Sequence, residues 1–140
     1  MPRKIAEAYI LRLLKEHRLG ALYSDIRADS RFDQTSIDYN FPRPAFLLIE
    51  MFAWTTASNE LREYYYERVP LARQELMVEV LRESAPREVL DRYLEGMRVW
   101  KDGDLEPLEN WLTGHMCAMD DEWLGPYCRS HPDVFLDLTA

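Results

Sequence analysis

The sequence lacks any long hydrophobic run. Its longest, Ala45 to Ile49, is far shorter than the ~20 apolar residues that cross a bilayer, so no membrane partner is expected. Glycine is sparse, with five residues scattered singly, which leaves no material for a G-x-G-x-x-G or P-loop phosphate cradle. G-x-S-x-G, H-E-x-x-H and EF-hand patterns are missing too, which removes the commonest hydrolase, zinc-protease and calcium readings. Cysteine is limited to Cys117 and Cys128, too few for a disulfide scaffold. With no charged-then-apolar leader and no Asn-x-Ser/Thr sequon, the expectation is a reduced, cytoplasmic chain. Lysine is scarce as well, because fourteen of the seventeen basic residues are arginine.

Positive charge is almost absent from the C-terminal part. Residues 102–140 carry nine Asp/Glu against Arg129 alone, a surplus of −8 that equals the net charge of the whole chain. Residues 1–31, by contrast, hold seven Lys/Arg against four Asp/Glu. An acidic surface repels phosphate backbones and speeds encounter with cations, so a basic protein is the expected partner and nucleic acid is not. The densest acids are Asp102, Asp104, Glu106, Glu109, Asp120, Asp121 and Glu122, with no Lys or Arg between the first and the last. On a helix starting at Leu105, Glu106, Glu109 and Asp120 are expected to project into water. These seven residues are the candidate partner surface.

What remains is ordinary for a folded domain. The 140 residues are 47% apolar and 30% charged, and a chain of this length buries roughly two-thirds of its unfolded surface. Pro2 suits the first turn of a helix whose stripe is Ile5, Ala6, Tyr9, Ile10, Leu13 and Leu14, with Gly20 as its left-handed stop. A short helix is expected over Ala21–Ala28. Ile37, Tyr39 and Phe41 alternate in a loop or one short extended segment. Pro44 opens a buried helix through Trp54, and Ser58 or Asn59 is placed to cap another over Glu60–Val69. Pro70 and Pro86 restart the chain. The first segment carries Leu71, Met77, Val78 and Leu81, with Arg73 and Arg82 outside the stripe; the second runs from Val89 to Trp100. Asp102-Gly103-Asp104 reads as a turn with Asp104 as a cap. A last stripe, Leu108 to Trp123 and including His115, ends at Gly125-Pro126. The pattern predicts an all-α fold, an irregular bundle of five or six helices in a single domain, 1–140.

Four constellations are candidates for chemistry. His115, Cys117, Cys128 and His131 form H-x-C-x10-C-x2-H, a zinc-compatible set. On a continuous helix His115 and Cys117 point apart, so no metal or other cofactor is expected, and both cysteines read as small buried hydrophobes. His131-Pro132-Asp133 resembles the signature tripeptide of J-domain co-chaperones. That family has a basic helix before it, whereas here the preceding segment is acidic, and the expectation is a final turn begun by Pro132. Glu50, alone in an apolar run, is expected to reach the surface or to pair with an arginine, since a carboxylate left in an apolar wall has a raised pKa. In Tyr64-Tyr65-Tyr66, flanked by Arg62 and Arg68 and surrounded by Glu60, Glu63 and Glu67, at least one ring must face outward; Tyr65 is taken as the partner contact.

In size, acidity and helix content the chain looks like toxin-neutralising immunity proteins and anti-defence inhibitors, a likeness that implies a small non-enzymatic binder of a basic protein. The rival readings are a structural subunit of a larger complex and an enzyme or ligand-binding module. In the latter, Trp54, Trp100, Trp111 and His115 would line a pocket between helices.

Overall fold

The computed structural model describes residues 3–137, with side chains from Ala6 onward, so the expected role of Pro2 and the side chain of Ile5 lie outside the described residues. Eight α-helices occur among them: α1 Arg3–Lys15, α2 Leu19–Arg27, α3 Arg43–Thr56, α4 Leu71–Ser84, α5 Arg87–Val99, α6 Glu106–Met119, α7 Gly125–Arg129 and α8 Pro132–Asp137. Two π-helical turns, Arg62–Tyr66 and Asp120–Leu124, complete the set, and no strand is present among the described residues. The all-α expectation holds. The helix count exceeds five or six because a π-turn divides the last long stripe and α8 adds a short final helix. Contacts group the chain into two compact units, one of residues up to Ile49 with those from Ala118, the other Glu50–Cys117.

In the first unit α1 packs against α2, α7 and α8. Ile10, Leu13 and Leu14 of α1 are buried, as their spacing requires. The stop falls at His17, whose φ is 53°, and the Arg18 N–H reaches back to the Leu13 carbonyl at 2.9 Å. This six-to-one closure places the left-handed residue directly after the helix. Gly20 therefore lies inside α2 instead of ending α1. The segment after α2 is not extended either. Tyr39 and Asn40 take successive positive φ values of 59° and 66°, which turn the chain so that Tyr39 and Phe41 are buried while Ile37 stays exposed. Phe32 stacks on Tyr39 at 5.4 Å, and Tyr39 meets Phe46 at 5.9 Å. Gly125 does not end a helix; it begins α7. A Cβ there would lie 2.8 Å from both the Asp120 carbonyl oxygen and His17 Cγ, so the close approach of the π-turn and the His17 ring requires glycine.

The core of the second unit is aromatic. Trp54, Tyr65, Tyr66 and Tyr93 are all at most 1% exposed. Trp54 Nε1–H donates to the Tyr66 hydroxyl at 3.0 Å, which donates in turn to the Tyr93 carbonyl at 3.1 Å. The Tyr65 hydroxyl donates to Glu50 at 3.1 Å and lies 2.7 Å from the Tyr93 hydroxyl, which is then the donor of that pair. Burial first, then neighbouring Tyr93 and Glu50, push the Tyr65 phenol well above its ordinary value. Glu50 is 0% exposed, so it does not reach the surface, and the Tyr65 phenol donates to its carboxylate. The Gln74 amide donates to the Tyr66 and Val69 carbonyls, satisfying acceptors at the end of the π-turn. α4 packs on α5, but its faces differ from the expected ones: Arg73 is buried and Leu71 is exposed.

Candidate functional site: an acidic trough

The turn after α5 is pinned by one side chain. Arg62 donates through Nε to the Trp100 carbonyl at 2.5 Å and through Nη2 to the Gly103 carbonyl at 2.8 Å. These acceptors lie just beyond α5, where unsatisfied carbonyls and the negative end of the helix dipole favour a guanidinium. Gly103 fits because the turn folds its Cα onto Val99, where a Cβ would come within 2.7 Å of the Val99 Cβ. Asp104 then accepts the Glu106 N–H at 2.9 Å and starts α6, as expected of a cap. One turn further on, Glu109 accepts the Leu61 N–H at 3.2 Å. Arg62 thus ties the start of the π-turn to the turn after α5, and Glu109 ties it to the first turn of α6.

A trough of about 500 Å³ lies along this seam. Five carboxylates line it, Glu60, Glu63, Asp104, Glu106 and Glu109, against the single guanidinium of Arg62. Glu60, Glu63 and Glu106 are exposed, while Asp104 and Glu109 also hold backbone N–H groups. Crowded carboxylates concentrate negative potential, and the matching ligand is cationic. No group of three or more His, Cys, Asp or Glu is placed to hold a metal ion among the described residues.

The candidate surface residues separate. Asp104, Glu106 and Glu109 line the trough; Asp102 is exposed in the preceding turn. Asp120, Asp121 and Glu122 belong to the other unit, in its π-turn. Asp121 and Glu122 are exposed, but Asp120 does not project freely into water: burial, then the Asp121 charge, push its carboxyl up to about 6. Tyr65 is 0% exposed and offers no surface to a partner, because the π-turn carries both it and Tyr66 inward. Tyr64 takes the outward position, 52% exposed, with the Arg68 guanidinium 5.1 Å from its ring centroid. Glu60 and Glu63 were visible in the sequence as acids around the tyrosines. Nothing local connected them to positions 104–109; only the fold does.

The remaining constellations change character. α6 runs unbroken through Gly114, and His115 is exposed on it, not set in the core. Its ring stacks on Trp111 at 4.6 Å, and its Nδ1 lies 2.7 Å from the Trp111 carbonyl. A carbonyl only accepts, so Nδ1 carries the proton. Trp111 is covered by this ring and by the Arg92 guanidinium at 5.4 Å, and gives its own N–H to Glu88 at 3.0 Å. Trp54 belongs to the core, and the Lys101 ammonium lies 5.6 Å from the Trp100 ring centroid. Cys117 is exposed, against expectation; Cys128 is buried, and burial with the Asp120 charge pushes its thiol up to about 12. His131 is exposed at the start of α8, bonded through Nδ1 to the Tyr127 carbonyl at 2.9 Å, and Pro132 opens that helix as expected.

The fold and the trough define an all-α protein with an anionic surface recess. Comparison with protein-family models, curated proteins and solved structures finds no match. No helix among the described residues is long and apolar enough to cross a membrane.

Proposed function

We propose that this chain is a small acidic binding protein that holds a basic protein partner, in the manner of an inhibitor or immunity-type protein. The observation that carries the reading is the trough, where Glu60 and Glu63 meet Asp104, Glu106 and Glu109 across the Arg62 seam. Chain segments distant in sequence converge on one anionic recess while the only guanidinium lining it is occupied with backbone carbonyls. Such an arrangement acts first on encounter rate and choice of partner. Each exposed ion pair contributes about 0.2–1 kcal/mol, so five pairs supply at most about 5 kcal/mol, short of the ~8 kcal/mol of a micromolar complex. The acids select the partner, and further contacts must hold it.

The test is affinity capture from native cell extract, compared between the natural chain and a Glu60→Gln, Glu63→Gln, Glu106→Gln variant. These three leave the cap at Asp104 and the Glu109 bond intact. The expected result is one stoichiometric basic protein, eluted by salt and bound with a slower association rate by the variant. Equal association rates at low salt would remove the trough from the recognition surface.

A further inference from the structure

The acidic trough does not stand alone. A second recess of about 590 Å³ is lined by Ala53, Thr56, Ala57, Asn59, Glu60 and Tyr64, and Asn59 and Glu60 also line the trough. The two recesses therefore adjoin at residues 59–60. The first is walled by Ala53, Thr56, Ala57 and the Tyr64 ring together with Asn59 and Glu60; the second is carboxylate-lined. Tyr64 is among the most exposed large apolar side chains of this unit, and the Arg68 guanidinium lies 5.1 Å from its ring centroid. A half-exposed tyrosine beside small residues offers the kind of aromatic contact that is enriched at binding hot spots.

We infer that this bipartite groove docks a segment of a different protein that carries one aliphatic or aromatic anchor beside Lys or Arg, the anchor entering the Tyr64 recess and the cations lying along the trough. The assignment rests on the proposed binding of a basic partner and deepens it. Charge complementarity fixes the occupant: a purely apolar segment would leave the carboxylates desolvated without cations, and a purely cationic one would leave the recess empty. The Tyr64 recess supplies the contact that the exposed ion pairs cannot, because burial of an anchor against the Tyr64 ring and the two alanines is insensitive to salt while the pairs are screened. The chain carries related chemistry of its own on α1, where exposed Leu11 is followed by exposed Arg12 and Lys15, so a second copy is the competing occupant.

The experiment pans a phage-displayed random dodecapeptide library against the intact protein, then titrates the synthetic consensus peptide. Enriched sequences are expected to place an aliphatic or aromatic residue beside Lys or Arg. The consensus peptide should bind the Tyr64→Ser variant at least about tenfold more weakly, in keeping with loss of an aromatic anchor. It should also bind the Glu60→Gln, Glu63→Gln, Glu106→Gln variant more weakly, with a flatter salt dependence. Tyr64 points outward, and an unchanged melting temperature for Tyr64→Ser confirms that only the groove was altered. Basic sequences without an anchor, bound equally by Tyr64→Ser, overturn the bipartite groove and leave the acidic-trough reading standing. Enrichment without any basic residue overturns both. Concentration-dependent self-association in the ultracentrifuge, abolished by Leu11→Ser and by Tyr64→Ser, assigns the groove to a second copy and overturns the foreign partner.

Discussion

Tyr66 shows how closely single residues are fitted in the second unit. Its hydroxyl accepts from Trp54 and donates to Tyr93, and the space for its ring exists because residue 96 is glycine: a Cβ there would sit inside the Tyr66 ring and hydroxyl. Gly96→Ala is expected to destabilise the fold by about 1–3 kcal/mol, the usual cost of overpacking a filled core. A chemical denaturation series measures it, and an unchanged midpoint would show that the ring has room to move. Asp120 gives a pH-dependent prediction. Its folded carboxyl titrates at about 6 against an ordinary 3.8, so the folded state holds this proton more tightly than the unfolded state does. The associated stabilisation is complete below about pH 4 and is lost as pH rises through 6. Asp120→Asn mimics the protonated form, so it should raise Tm at pH 7 and leave it unchanged at pH 4; melts at both pH values provide the check. The sequence displays Asp120 only as one acid among several, since the desolvation that shifts it depends on neighbours placed by the π-turn.

At the scale of elements, the helices were legible and their joints were not. Spacing of three and four identified the buried faces of α1 and α5, and Pro86 and Asp104 marked real starts. Period-3.6 reasoning has no place for a π-turn, however. Both turns fall in segments read as plain helix, and each redirects the residues that follow. In the first, Tyr65 and Tyr66 go inward and Tyr64 outward; in the second, the chain continues into α7 through the glycine read as a stop. The left-handed positions were hidden for a related reason, because His17, Tyr39 and Asn40 take positive φ without the glycine that usually marks such a position. The seam between the first π-turn and α6 is open to test. Arg62→Lys keeps the charge but loses the planar fork that reaches two carbonyls, and it should cost about 1.5–3 kcal/mol, as for hydrogen bonds made by charged groups. Asp104→Ala should cost about 0.5–2 kcal/mol through the lost cap. Because the two changes meet at one turn, the double variant is expected to deviate from additivity, which a double-mutant cycle reads directly.

For the molecule as a whole, charge asymmetry was the most legible property and its geometry the least. The sequence shows an acidic C-terminal stretch, but the fold divides that stretch between the two units and recruits Glu60 and Glu63, which composition alone does not single out. A cationic ligand should therefore respond to acids at both 60–63 and 104–109, and neutralising either set should lower the salt dependence of its association. The cysteines carry a different consequence. Cys117 lies open to solvent on α6, while Cys128 is sealed at 0% exposure with its thiol pushed up to about 12. Since the thiolate is the reacting species, a maleimide near neutral pH should add once per folded chain and a second time only after denaturation, a difference that intact mass spectrometry resolves. The natural sequence thus arrives with a single addressable handle, ready to carry a fluorophore without any engineering, while its second thiol keeps a silent count of how much of the population has come unfolded.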